Sequence, residues 1–355
     1  MDAETRAIYE AHASEWQARR QPRGLDSARS LQERSVGPSI DLGCGPGWYA
    51  PALTPPVVAF DGAYSMLQLV GAKAPAAHRV QGDLEALPFA AGAFGAAWAR
   101  NSYVHLARTS VPLALADLHR TMELGGRTTL WLFGGKGEGR DLFEGDDFPG
   151  RLFSLWGDEL LDVVTGAGFT LDRVEQRGRT HGEMSFEIEA TRARTLPDIV
   201  GPDMRVLVCG LNPSLYAADA GIGFARPGNR FWPAALAAGL VSVDRNPWHA
   251  LRHHGVGFTD LVKRATVAAS ELTTDEYRAG LARLERLAAW LQPRVLAFVG
   301  LAGWRAAVDR KAVAGPQDRT IGGRPVYVMP SSSGLNAHSN VESLAQHLRA
   351  AAAFV

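Results

Sequence analysis

The chain has 355 residues, 46% of them apolar and 21% charged, with Lys plus Arg equal in number to Asp plus Glu. No apolar run approaches the roughly 18 residues of a membrane span, and two cysteines, Cys44 and Cys209, exclude a disulfide framework, a four-thiolate zinc site and an iron–sulfur cluster. Length favours two domains, and a reduced cytoplasm is the expected setting. The zero net charge is unevenly spread. Residues 1–194 carry 20 basic and 25 acidic side chains, whereas the remainder carries 17 and 12, so a polyanion suits the second half better.

A charged amphipathic segment, MDAETRAIYEAHASEWQARR, opens the chain without a signal-peptide core. Strands are then predicted in PSIDLG, VVAFDG, HRVQGD, FGAAWARN and RTTLWLFG, with helices in AYSMLQLVGAKA and VPLALADLHRTMEL. This alternation predicts a mostly parallel, doubly wound sheet. FTLDRVEQR and MSFEIEATRA follow with no helix between them and are expected as an antiparallel edge pair. After TLPDIVGPD a second alternation begins. Strands RVLVCGL, VLAFVG and PVYVMP are interleaved with helical NRFWPAALAAGL, TTDEYRAGLARLERLAAWLQ and NVESLAQHLRAAAAF. The expected fold class is α/β in two domains, residues 1–194 and 195–355.

IDLGCGPG places Asp41 and the glycines Gly43, Gly45 and Gly47 at the end of the first strand. Glycine there lets a ligand approach the backbone, and a helix opening at that point offers free N–H groups. Asp61 ends the second strand, where a carboxylate suits the two hydroxyls of a ribose. Asp83 ends the third, where it suits the amino edge of adenine. The spacing differs from the G-x-G-x-x-G of dinucleotide sites. With FDGAYSML, GDLEALPF, NSYVHL and LADLHRTMELGGRTTLWLF, this region resembles class I S-adenosylmethionine-dependent methyltransferases. The resemblance implies a Rossmann-like sheet that binds S-adenosylmethionine through these six residues. The methyl acceptor is unknown, because NSYV is not the Asn-Pro-Pro-Tyr signature of DNA amino-methyltransferases. Cys44 reads as a space-filler, and His105 as a packed histidine or a proton acceptor.

VLVCGLNPS reads as a buried strand that ends on Gly210 and Leu211 and delivers Asn212, locked before Pro213. Far downstream, PVYVMP ends in SSSGLNAHS. Both strand ends belong at the carboxyl edge of a parallel sheet, where α/β proteins place their sites. With GFARPGNRFW and GVGFTDLVKRAT, they resemble the mismatch-specific uracil/thymine DNA glycosylases of the uracil-DNA glycosylase superfamily. That resemblance implies an α/β/α sandwich with no cofactor, acting on double-stranded DNA with mismatched uracil or thymine. Such an enzyme flips the base out and hydrolyses its N-glycosidic bond.

On this reading Asn212 positions the water, while Gly210, Leu211, Phe224 and Asn229 hold the base. Leu335, on the turn at Gly334 and supported by Asn336, is the wedge that fills the gap. Ser331, Ser332 and Ser333 bond a phosphate. Asp260 carries two readings: a carboxylate that activates water or stabilises the oxocarbenium ion, or a turn or helix-capping aspartate. Arg226 and Arg230 read as DNA-facing or plain surface arginines, and LARLERLAAWL as an apolar core stripe. His249, His253 and His254 lack an acidic partner, so no metal is expected. The whole chain is expected to be a repair glycosylase fused to a methyltransferase. Two other readings are a methyltransferase targeted to DNA by the second domain, and a lesion-binding protein with little hydrolysis.

Overall fold

In both halves of the chain, continuous apolar runs become central strands buried on both faces. The computed structural model describes residues 1–140, 142–178 and 184–354. It divides into one unit of residues 1–165 with 169–193 and another of residues 166–168 with 194–355.

In the first unit, β1 (Ser39–Leu42), β2 (Val57–Asp61), β3 (His78–Gln81), β4 (Phe94–Arg100) and β5 (Met122–Gly134) run parallel in the order β3-β2-β1-β4-β5. Residues 39–42 and 94–99 are buried throughout. Short strands β6 (Glu138–Gly139) and β7 (Phe153–Trp156) extend the sheet beyond the carboxyl end of β5. At two and four residues they are too brief to show a period in the sequence. β8 (Phe169–Gly178) and β9 (Met184–Arg192) form the expected antiparallel pair. Only β8 is an edge strand, because β9 also pairs with β5.

Two helices precede the sheet, Ala3–Arg19 and Leu25–Glu33. The first is capped by Asp2, whose carboxylate accepts from Thr5 N at 2.8 Å. The helix expected to open at the glycine turn is absent. A 3-10 turn, Ala50–Ala52, stands there with Pro51 at its centre, and proline cannot donate the N–H that a continuing helix needs.

In the second unit, β10 (Val206–Gly210), β11 (Val256–Asp260), β12 (Val295–Val299), β13 (Gly315–Ile321) and β14 (Arg324–Met329) are ordered β11-β10-β12-β14-β13, all parallel but β13. The sequence reading missed β11, a short strand broken in pattern by Gly257, and β13, a polar edge strand. Helix Thr274–Leu291 starts on a capping box: Thr273 Oγ accepts from Glu276 N at 3.3 Å and Glu276 Oε2 from Thr273 N at 2.8 Å. It packs on Leu301–Ala307, as Phe231–Ala237 packs on Val341–Ala353, in the α/β/α arrangement expected. Among the described residues no helix is long and apolar enough to cross a membrane.

Candidate functional site

Each unit holds a cavity at the carboxyl ends of its parallel strands. That of the first unit measures 610 Å³ and is lined by Gly43, Gly45 and Asp61 among others. Gly43 has φ +69°, and a Cβ on it would lie 2.3 Å from Ser102 Cβ, so only glycine closes this turn and keeps the floor clear. Asp61 accepts from Gly45 N at 2.8 Å and Ala63 N at 2.9 Å, which leaves each oxygen a lone pair for a ribose hydroxyl. Burial pushes its carboxyl up to about 6, while the amides of Ala63 and Gly45 pull the other way. The open turn, this carboxylate and the cavity's size fit an adenosyl cofactor.

Three other expected cofactor residues lie outside the lining. Asp41 is buried inside β1, its carboxyl raised well above the usual range by burial and by Asp61. Gly47 is pressed against Val70. Asp83 is held by the Met1 amino group, which also bonds Glu85 at 2.9 Å; Gly82 and Leu84 face the cavity in its place. Cys44 is buried but lines the cavity. His105 is packed. Its Nδ1 donates to Leu152 O at 2.7 Å and its Nε2 accepts from the Tyr9 hydroxyl at 2.8 Å. Burial pushes it down to about 4, so it is neutral.

The cavity of the second unit measures 280 Å³ and collects Gly210, Leu211, Asn212, Phe224, Asn229, Asp260 and Ser331, Ser332 and Ser333. That volume suits one base rather than an extended ligand. Asn212 Nδ2 donates to Arg264 O at 3.0 Å, Thr266 Oγ1 at 2.8 Å and Pro213 O at 3.2 Å. A carbonyl only accepts, so the amide nitrogen must face Arg264 and the oxygen must face away. Asp260 stands beside Gly210 in the register of β10 and β11. A Cβ on Gly210 would lie 2.3 Å from Asp260 Oδ1, so the missing side chain is what admits the carboxylate. Asp260 caps no helix, since none forms in residues 261–268.

Phe224 has φ +58°, a strained value for an aromatic residue, and one face of its ring stacks on Phe231 at 4.3 Å. Asn229 Oδ1 accepts from Phe231 N at 2.9 Å, which leaves Nδ2 as the group free to donate into the cavity. The same bond explains why the helix begins at Phe231 rather than Asn229. The Gly210 and Leu211 carbonyls already accept from Leu261 N and Val262 N, both at 2.9 Å. Gly334, Leu335 and Asn336 stand outside the lining. Leu335 is 87% exposed, and Gly334 lies against the Gly228 backbone.

The family model of the uracil DNA glycosylase superfamily matches residues 197–353. The match falls within the second unit. A methyltransferase domain model matches residues 40–130, so the chain joins a methyltransferase domain to a glycosylase-type one. Similar solved structures include several methyltransferases. They include 1,6-didemethyltoxoflavin-N1-methyltransferase of Burkholderia thailandensis, at 18% identity over 54% of this chain and 88% of that one, with a TM-score of 0.44. Others are S-adenosylmethionine-dependent methyltransferases of Methanosarcina mazei (16% identity, 44% and 92% covered, TM-score 0.39) and Mesorhizobium loti (18%, 48% and 97%, 0.39).

Two groups in the glycosylase domain escaped the sequence reading. Arg230, read as DNA-facing or as a plain surface arginine, is not idle. Its Nη1 donates to Asn336 O at 2.8 Å and Ser339 O at 2.6 Å, and its Nη2 to Gly334 O at 3.3 Å, tying down the loop that carries Leu335. Asn336 Nδ2 adds bonds to Ser331 O at 2.9 Å and Ser339 Oγ at 3.0 Å. Beneath Asp260 lies a buried charge cluster: Asp198 meets Lys263 Nζ at 2.8 Å and Arg283 Nη1 at 2.6 Å. Arg283 Nη2 also donates to Asp260 O at 2.8 Å. The stripe LARLERLAAWL therefore carries one buried cation among its apolar positions. Burial alone would raise the Asp198 carboxyl, but Arg283 and Lys263 hold it below its ordinary value. Asp260 shows the opposite balance, burial pushing it up to about 6 against the pull of Lys263. Among the described residues no cluster fit for a metal occurs, and His249, His253 and His254 form none.

Proposed function

We propose that the glycosylase domain excises uracil or thymine from G·U and G·T mismatches in duplex DNA, and that the methyltransferase domain binds S-adenosylmethionine. The observation that carries the first reading is the fixed carboxamide of Asn212. With its nitrogen engaged by Arg264 O and Thr266 Oγ1, its oxygen is oriented to accept from an attacking water.

In the proposed reaction the flipped base rests on the free face of Phe224, and Asn229 Nδ2 donates to one of its carbonyls. The N1–C1′ bond breaks with its electron pair leaving on the base, and positive charge builds on the sugar. Ionised Asp260, at the cavity wall, stabilises that charge and takes the proton of the water whose oxygen bonds C1′. Leu335 enters the stack where the base has left, and the Ser331–Ser332–Ser333 segment meets the phosphate. In the other domain, Gly43, Gly45 and Asp61 would hold the cofactor, whose chemistry would be the supply of a methyl group.

The deciding experiment incubates the protein with labelled duplexes bearing G·U, G·T, A·U or G·C and cleaves abasic sites with hot alkali. Strand scission at G·U and G·T is expected. Binding to these duplexes with no scission on any of them would replace excision by lesion binding.

Leu335→Ala is expected to slow excision from duplex by about 10- to 100-fold, the value of one buried leucine side chain. Excision from a single-stranded uracil oligonucleotide, which needs no wedge, is expected to stay unchanged. Arg230→Met, which unties the same loop, is expected to show the same duplex-only defect. Equal losses on both substrates would assign Leu335 to the pocket instead.

A further inference from the structure

His105, which has no part in holding the cofactor, belongs to a chain of hydrogen bonds in the wall of the methyltransferase cavity. Arg151 Nη1 donates to the Tyr9 hydroxyl oxygen at 2.7 Å, and that hydroxyl donates to His105 Nε2 at 2.8 Å. The direction is fixed from both ends. Arginine only donates, and Arg151 is itself held by Asp146 and by Phe148 O at 3.0 Å. His105 Nδ1 donates to Leu152 O, which leaves Nε2 of the neutral ring only a lone pair. Tyr9 therefore has its one proton committed and one of its two lone pairs taken. It keeps a single lone pair, with no partner among the described residues, on a half-buried side chain that lines the cavity. A ligand group that meets it there must donate, so it carries an O–H or an N–H. His105 is buried with both nitrogens engaged, so a ligand's proton reaches it only through Tyr9.

The surroundings define the rest of the ligand. Phe133, Phe143 and Phe153 line the same cavity, with Phe153 4.9 Å from the His105 ring and 4.8 Å from that of Phe143. Phe133 lies on β5, three strand spacings or about 14 Å from β2 and its Asp61, so these rings stand away from the ribose end. Such a lining takes a flat, apolar ligand. At 610 Å³, against 280 Å³ for the base-sized cavity, the space holds a small molecule beside the cofactor. We propose that the methyl acceptor is a small aromatic molecule whose O–H or N–H donates to the Tyr9 oxygen, and that Tyr9 relays its proton to His105 as the methyl group is received. The proposal rests on the cofactor reading above. With X the accepting oxygen or nitrogen, the X–H pair forms the X–C bond and the S–C pair stays on sulfur. The freed proton goes to the Tyr9 oxygen while Tyr9's own goes to His105 Nε2, giving an imidazolium whose Nδ1 still donates to Leu152 O. Burial holds His105 down to about 4. So weak a base suffices for a proton made strongly acidic by methylation of the atom that carries it.

Two ring probes test it on the protein loaded with S-adenosylhomocysteine. 4-Nitrophenol carries an O–H and turns yellow when ionised, whereas nitrobenzene has the same ring and no O–H. In calorimetry at pH 6, where the free phenol is mostly neutral, 4-nitrophenol is expected to bind about tenfold tighter, the worth of one hydrogen bond. Tyr9→Phe is expected to erase that preference and leave nitrobenzene unchanged. At pH 8 the free phenol is mostly yellow, and the lone pair of Tyr9 repels a phenolate, so the probe is expected to take up a proton and lose its colour on binding. His105→Leu frees the Tyr9 proton to donate into the cavity, and there the bound probe is expected to stay yellow. Equal weakening of both probes in Tyr9→Phe would reduce Tyr9 to a tie for its helix. A probe that stays yellow on the wild type, or a His105→Leu protein that behaves as wild type, would end the relay, and binding of neither probe would remove the aromatic acceptor. Each of these results overturns the proposal. A wild-type protein that does not bind S-adenosylhomocysteine would instead remove the cofactor reading, and the proposal with it.

Discussion

Asn212→Ala is expected to lower single-turnover excision of uracil from a G·U duplex by about 10²- to 10⁴-fold, the range for loss of a group that handles the reacting proton or its water. Binding of the duplex is expected to persist, because Phe224, Asn229 and Leu335 remain. The informative companion is Asn212→Asp. An aspartate is a stronger acceptor and would look like an improvement if the side chain did nothing but accept from water. In this site the other half of the side chain must donate to Arg264 O and Thr266 Oγ1. A carboxylate has no proton to give there and sets an oxygen against a carbonyl oxygen. Asn212→Asp is therefore expected to be nearly as defective as Asn212→Ala at pH 8, with both variants keeping the wild-type melting temperature within a few degrees. An active Asn212→Asp enzyme at that pH would sink the fixed-carboxamide account. If instead Asn212→Ala keeps a tenth or more of the activity, water is held elsewhere, with Asp260 the nearest alternative.

The parts of this molecule legible in the sequence are those written into the backbone. Gly210, Leu211 and Asn212 follow a four-residue apolar run, so the strand and the turn that ends it announce each other, and the same holds for Gly43 and Gly45 after β1. Side chains that act at a distance left no local mark. Arg230 meets carbonyls more than 100 residues away, and its sequence position offered only a DNA-facing or a plain surface reading. Asp198 sits in TLPDIVGPD, between the two alternations, yet it neutralises two cations that flank Asp260. Asp83 shows the converse case. Its place at a strand end suggested adenine, and one of its carboxylate oxygens also meets the Met1 amino group, a contact that no pattern in the sequence signals. Asp260 itself was half legible. Its residue type and position in GVGFTDLVKR were plain, whereas the helix-capping reading fell only with the finding that no helix follows.

The pH dependence of excision separates the roles of the charges around Asp260. Since burial raises its carboxyl to about 6, and the proposed role needs the ionised form, single-turnover rates are expected to rise about tenfold per unit below pH 6 and to level off above pH 7. Asp260→Asn is expected to erase this limb and to lower the plateau by about 10²-fold or more. The charges below it then move the limb in predictable directions. The negative Asp198 opposes ionisation of Asp260, so Asp198→Asn leaves Lys263 and Arg283 to act on it alone and shifts the limb to lower pH. Lys263→Met removes a favourable cation and shifts it to higher pH. Each change also breaks a buried ion pair, which typically costs about 3–5 kcal/mol, so both variants are expected to melt earlier. Instability alone cannot move two pH profiles in opposite directions, and rates are to be measured well below each variant's melting temperature. Limbs that shift the same way, or an Asp260→Asn enzyme that keeps the wild-type limb, would assign the titration to another group and return Asp260 to a structural part in the cavity wall.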